Sequence, residues 1–101
     1  MPERRGASVY VVECVDGSLY CGFAFDVAAR VRTHNDGRGA RFTRSRRPVR
    51  LRWVWQARRA EDARRLEGLI KRLSRAQKLR LLAHDVAVLG PLLLEVARRR
   101  R

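Results

Sequence analysis

The stretch from Ser8 to Ala24 narrows the fold before any other part of the chain does. Two runs rich in β-branched and aromatic residues, 8–15 and 18–24, flank Asp16-Gly17, and a short polar turn between two such runs is the strongest local signal for a β-hairpin. Two loops fit these residues. A two-residue type I′ turn pairs Val15 with Ser18 and puts Tyr10 and Tyr20 on opposite faces of the sheet. A three-residue loop with Gly17 left-handed pairs Cys14 with Ser18 and puts both tyrosines on one face.

Helical periodicity begins after the hairpin. Asp26 is placed to cap a short helix in which Val27, Val31 and His34 recur at helical spacing, and Gly37 ends it. Residues 35–48 read as a basic loop closed by Pro48. From Val49 to Ala57, the order Val49, Leu51, Trp53, Trp55 against Arg50, Arg52, Val54 predicts a third strand with one buried face. A helix over 61–73 follows, its apolar stripe made of Ala63, Leu66, Leu69, Ile70 and Leu73, and Ser74 caps a shorter one. Pro91 is expected to start a C-terminal helix that runs into the arginines at 98–101. The order ββαβαα plus that helix predicts an α+β fold, a small three-stranded antiparallel sheet flanked by helices.

Charge then selects the partner class. With 24 Lys+Arg against 10 Asp+Glu in 101 residues the chain carries +14, which favours polyanions. Of the basic residues only Lys71 and Lys78 are lysine, a bias that a GC-rich genome also produces. The apolar run Val86 to Leu94 is broken by Gly90-Pro91 and is too short to span a bilayer, so no membrane partner is expected. Cys14 and Cys21 lack the spacing of a zinc site or a disulfide framework; reduced thiols and a cytoplasmic location are the expectation. No pattern in the residues fixes an oligomeric state.

Val9-Tyr10 on the first strand and Leu19-Tyr20-Cys21-Gly22 on the second, followed by Arg30, His34, the segment GARFTRSRRPVRL and Glu67 in RRLEGLIKRLSRAQK, resemble the GIY-YIG nuclease superfamily. They are most similar to its short stand-alone bacterial members. The likeness covers roughly residues 8–82, with Ser8-Val9-Tyr10 in place of Gly-Ile-Tyr and Cys21 in place of Ile. It implies a nuclease domain at 8–84, preceded by a flexible N-terminus at 1–7 and followed by a C-terminal helix and basic tail at 85–101.

The resemblance implies a metal-dependent endonuclease that hydrolyses phosphodiesters, in DNA more readily than in RNA, with branched, nicked or single-stranded sites as candidates. In that reading Tyr10 is the general base, its pKa lowered by neighbouring cations or a metal-bound water, with an arginine-lined cleft pushing it that way. Tyr20 and Arg30 position and neutralise the phosphate, His34 relays or orients a proton, and Glu67 binds Mg²⁺ (or Mn²⁺). This mechanism needs both tyrosines at one site and so predicts the three-residue hairpin loop. Arg38, Arg41, Arg44, Arg46, Arg47 and Lys71 are the expected nucleic-acid contacts, salt-sensitive and weakly sequence-specific. The accessory targeting domain that many family nucleases carry is absent from these residues, which suggests a protein partner that supplies specificity.

Plainer readings stand beside these. Without the motif order, Tyr10 and Tyr20 are half-buried strand aromatics, Arg30 is one solvated arginine among many, and Glu67 with Lys71 is an ordinary i, i+4 pair worth about 0.2–0.5 kcal/mol. Trp53 and Trp55 suggest base stacking or, from their shared face, core packing. His84 reads as structural or surface. The competing function is a non-catalytic or partner-dependent basic module that binds nucleic acid.

Overall fold

A computed structural model describes residues 6–99. Of the N-terminus expected to be flexible at 1–7, the first five residues lie outside the described residues, as do the last two arginines of the tail, whereas Ala7 is buried in the first strand. The elements are β1 (Ala7–Glu13), β2 (Leu19–Ala24), α1 (Val27–Asn35), α2 (Arg41–Arg44), β3 (Arg50–Ala57), α3 (Ala60–Lys71), α4 (Arg75–Leu82) and α5 (Val86–Arg99). The strands form one antiparallel sheet in the order β2-β1-β3.

The hairpin takes the three-residue loop. Glu13 pairs with Leu19, and the Cys14 amide donates to the Ser18 carbonyl at 2.8 Å. Gly17 has φ +85, a conformation that glycine adopts without steric cost. Asp16 Oδ1 accepts from both the amide (3.0 Å) and the hydroxyl (2.6 Å) of Ser18, fixing the turn. Tyr20 thus stands opposite Val12, and the two-residue period of the strands puts Tyr10, Val12 and Tyr20 on one face.

The opposite face carries the larger core. Val9, Val11, Cys21 and Trp53 pack there against Ala63, Leu66, Ile70, Leu81, Val88 and Val96 of the last three helices. Burying an aliphatic side chain the size of Leu66 or Ile70 contributes about 1.5–3 kcal/mol, so this layer accounts for most of the fold's apolar stabilisation. The thinner layer over the other face is Tyr10, Val12, Cys14, Ala24 and Val49, with Val27 and Val31 of α1 against it.

Three sequence expectations change. The expected uniform face of β3 is broken by a bulge between the partners of Val11 and Val12. Leu51 pairs with Val12 on the tyrosine face, whereas Trp53 and Trp55 pair with Val11 and Val9 on the other. An extra residue in one strand flips all that follow it, and simple alternation cannot register that. The basic loop at 35–48 contains the short helix α2. The C-terminal helix starts at Val86 rather than Pro91, because Asp85 caps it: its carboxylate accepts from the Ala87 amide at 2.9 Å. Elsewhere the caps fall where expected, with Asp26 accepting from Ala29 and Ser74 forming a capping box with Gln77. His84 is exposed and has φ 63 at the end of α4. No described helix is long and apolar enough to cross a membrane.

Candidate active site

Tyr10 lies at the centre of the sheet, 1% exposed, directly opposite Gly22. A Cβ at position 22 would stand 2.6 Å from the Tyr10 hydroxyl and 2.8 Å from Cζ. The glycine of the second motif is therefore a steric requirement of the tyrosine of the first.

The Tyr10 hydroxyl meets His34 Nε2 at 2.8 Å, and His34 Nδ1 meets Thr43 Oγ1 at 2.7 Å. Thr43 Oγ1 in turn donates its one proton to the Ala40 carbonyl at 3.0 Å. It must then accept from Nδ1–H, which leaves Nε2 bare to accept the Tyr10 proton. All three side chains are at most 1% exposed. Gly39 completes the cradle, since a Cβ there would fall 2.3 Å from His34 Nδ1.

Burial pushes the Tyr10 phenol up to about 12, with Arg30 pulling it back by charge and hydrogen bonding. The expectation that the surrounding arginines lower it fails because desolvation outweighs them. Burial, and then the charge of Arg30, hold His34 below its ordinary value, so the imidazole is neutral near pH 7 and fit to accept a proton. These directions fix the pH response. The folded state binds fewer protons at His34 than the unfolded chain as pH falls below about 6.5, so folding stability declines there. Tyr10 contributes stability below pH ~10 that is lost as pH rises towards 12. We expect thermal melts to show the acid limb in the wild type and a flatter one in His34→Gln. In a Tyr20→Phe background, where burial still acts on Tyr10, tyrosinate absorption should emerge above the ordinary phenol range near pH ~10.

Tyr20 flanks the same histidine, its ring edge-on to His34 at 5.4 Å. Its outer side is stacked on Phe42 at 5.9 Å, and Arg46 covers Phe42 at 4.0 Å. Arg30, one turn before His34 on α1, is exposed and acts on both Tyr10 and His34. The structure thus gathers Tyr10, Tyr20, Arg30 and His34. Glu67 lies on α3, the helix packed against the opposite face of the sheet; it bonds Lys71 Nζ at 3.1 Å, and that Nζ lies 5.6 Å from the Tyr20 ring. It also faces Cys21, whose thiol is pushed up to about 12 by burial and then by the Glu67 charge, so Cys21 serves as a small apolar group.

The arginines of the loop divide into two kinds. Arg46 bonds Asp16 and the Phe42 carbonyl, and Arg47 donates to the carbonyls of Arg44 and Asn35; both hold the loop together. Arg38 pairs with Asp36 at 3.0 Å but remains largely exposed, and Arg41 and Arg44 face solvent beside the histidine cradle. Sequence reasoning included Gly39 and Thr43 in the GARFTRSRRPVRL segment of the resemblance without giving either a role, and it missed Asn35. The Asn35 amide bonds both backbone groups of Val49, at 2.7 and 3.0 Å, tying the end of α1 to the start of β3.

A family model for the GIY-YIG catalytic domain matches residues 6–80. The chain is 49% identical over 74 residues to UPF0213 proteins of Staphylococcus aureus strains Mu3 and N315, covering 73% of this chain and 90% of theirs. It is also similar to the solution structure of a UPF0213 protein from Bacillus halodurans, with 41% identity, a TM-score of 0.53, and coverage of 79% of this chain and 85% of that one. That neighbour shares the α+β arrangement of a three-stranded antiparallel sheet flanked by helices. With the tyrosines, the glycine and the helical arginine of the motif assembled on one face of that sheet, the chain belongs to the GIY-YIG family, a family of nucleases.

Proposed function

We propose that this protein is a metal-dependent endonuclease that hydrolyses phosphodiester bonds, in DNA more readily than in RNA, with a protein partner as a candidate source of specificity. The observation that carries the reading is the directed chain from Tyr10 O–H to His34 Nε2, and from Nδ1–H to Thr43, beside the exposed guanidinium of Arg30. Phosphodiester hydrolysis needs a base for the attacking water and positive charge where the phosphorane oxygens gather electrons. Tyr10 takes the water's proton as its own passes to His34 Nε2, so no free tyrosinate need persist at neutral pH. Arg30 holds the phosphate with a fork of donors, and Tyr20 packs beside it. One P–O bond forms, the other breaks, and the departing oxygen takes up one proton.

Glu67 is the residue that would hold Mg²⁺ or Mn²⁺. Among the described residues no three His, Cys, Asp or Glu cluster to cage a metal. A partly exposed single carboxylate suits a hard cation that keeps most of its waters and shares the substrate's phosphate. When bound there, the ion supplies Lewis-acid stabilisation of negative charge on the phosphate. We expect Glu67→Gln to keep nucleic-acid affinity within about 3-fold while the Mg²⁺-stimulated rate falls at least ~10²-fold, as loss of one strong electrostatic group does. Equal cleavage by the variant across a Mg²⁺ titration would remove Glu67 from the site.

One observation favours a second reading. Tyr10 is 1% exposed, which suits a basic binding module that turns over only when a partner opens the site. The two readings separate on whether the purified chain cleaves alone.

A further inference from the structure

A cavity of about 630 Å³ lies on the face of the sheet opposite Tyr10, between the end of β3, the start of α3, and α5. Its lining includes Trp55, Arg58, Arg59, Asp62, Leu66 and Leu93. None of these serves the Tyr10 site, because Trp55 pairs with Val9, whose side chain faces the helices. The volume falls in the range of small-ligand sites.

Trp55 is a rigid plate. One side stacks on the buried Trp53, rings 6.5 Å apart and 15° from parallel, while Trp55 itself is 36% exposed and lines the cavity. Two cations stand beside it. Arg58 has no carboxylate partner among the described residues. Arg59 uses Nη2 for Glu61 at 3.2 Å, but its buried Nε has no hydrogen-bond partner there.

An aromatic plate with adjacent guanidinium groups is what a nucleotide unit presents a need for, a planar base and an anionic backbone. The net charge of +14 gives the same sign. Resting on the nuclease reading above, we propose that this cavity takes one base and the neighbouring phosphate of a single-stranded nucleic-acid segment. Trp55 stacks the base, and Arg58 and Arg59 contact the backbone. β3 is one of the two edge strands, so an unpaired tail leaving the Tyr10 face can turn round it, whereas a duplex keeps its bases stacked on one another. The proposal therefore assigns the enzyme substrates with a single-stranded extension.

The test is binding of a fluorescent single-stranded oligonucleotide, and of a blunt duplex of the same sequence, by the intact protein and by Trp55→Ala, Trp55→Phe and Arg58→Ala. Circular dichroism checks the fold of each. We expect about a 10-fold loss of single-strand affinity in Trp55→Ala, the order that one stacked base carries, with most of it restored in Trp55→Phe. Arg58→Ala should lose several-fold and show a shallower salt dependence. Duplex affinity should change less than 2-fold throughout. Photocrosslinking of an iodouridine-bearing strand should mark Trp55. Unchanged single-strand binding in folded Trp55→Ala, or equal losses on duplex and single strand, would overturn the proposal while leaving the nuclease reading intact. Wild-type protein that binds neither form would overturn both.

Discussion

Tyr10→Phe should abolish cleavage while leaving the protein folded. The substitution removes one oxygen from the hydrogen-bonded chain through His34 and Thr43 and nothing from the apolar packing of the ring. Loss of a positioned general base lowers rates by roughly 10²–10⁴-fold. The structural cost is the unsatisfied His34 Nε2, about 1–3 kcal/mol for a buried polar group. Single-turnover cleavage at saturating protein should therefore fall by at least two orders of magnitude with affinity within about 2-fold of wild type. A Tyr10→Phe protein that cuts at the wild-type rate would assign the ring to the core alone.

Gly39→Ala should damage both stability and chemistry. The added Cβ would lie 2.3 Å from His34 Nδ1 and 2.8 Å from the His34 Cα, and a backbone atom cannot rotate away. Either the loop from Gly37 to α2 shifts or the imidazole leaves Thr43. Overpacking of this kind costs about 1–3 kcal/mol, and a displacement of about 1 Å in a catalytic group costs on the order of 10²-fold in rate. Denaturant unfolding and cleavage should fall together, and Nδ1 of His34 should show a changed chemical shift in NMR. By contrast Gly68→Ala, where a Cβ meets nothing within 4 Å, should match or exceed the wild type in stability, because alanine favours a helix interior.

Most of the architecture was legible because it rests on local signals. Asp16-Gly17 between two β-branched runs, Asp26 before an amphipathic stretch and Ser74 three residues ahead of Gln77 each act within a few residues. The placement of both tyrosines on one face also followed, once the choice of hairpin loop was tied to the motif. What escaped was set by distant partners. The bulge in β3 is defined by how Leu51 and Trp53 meet Val12 and Val11, a relation between strands far apart in sequence. Thr43 stood within the GARFTRSRRPVRL segment of the family likeness, but only its fold onto His34 gives it a role. The direction of the Tyr10 pKa was misjudged for a related reason: arginine abundance is visible in a sequence, but the burial that outweighs it is not.

The family likeness and the hydrogen-bond chain converge on hydrolysis of nucleic acid, and the most direct test is cleavage by the unmodified chain. A labelled panel of plasmid, single strand, flap, four-way junction and structured RNA should be incubated with the purified protein in Mg²⁺ or Mn²⁺, and again with a chelator, while binding of each is measured in parallel. The account predicts metal-dependent cutting of at least one DNA substrate, strongest where a single-stranded extension joins duplex, and none with the chelator. Tight, salt-sensitive binding across the panel with no cutting in either metal would contradict it and leave the chain a basic nucleic-acid-binding module built on a nuclease fold.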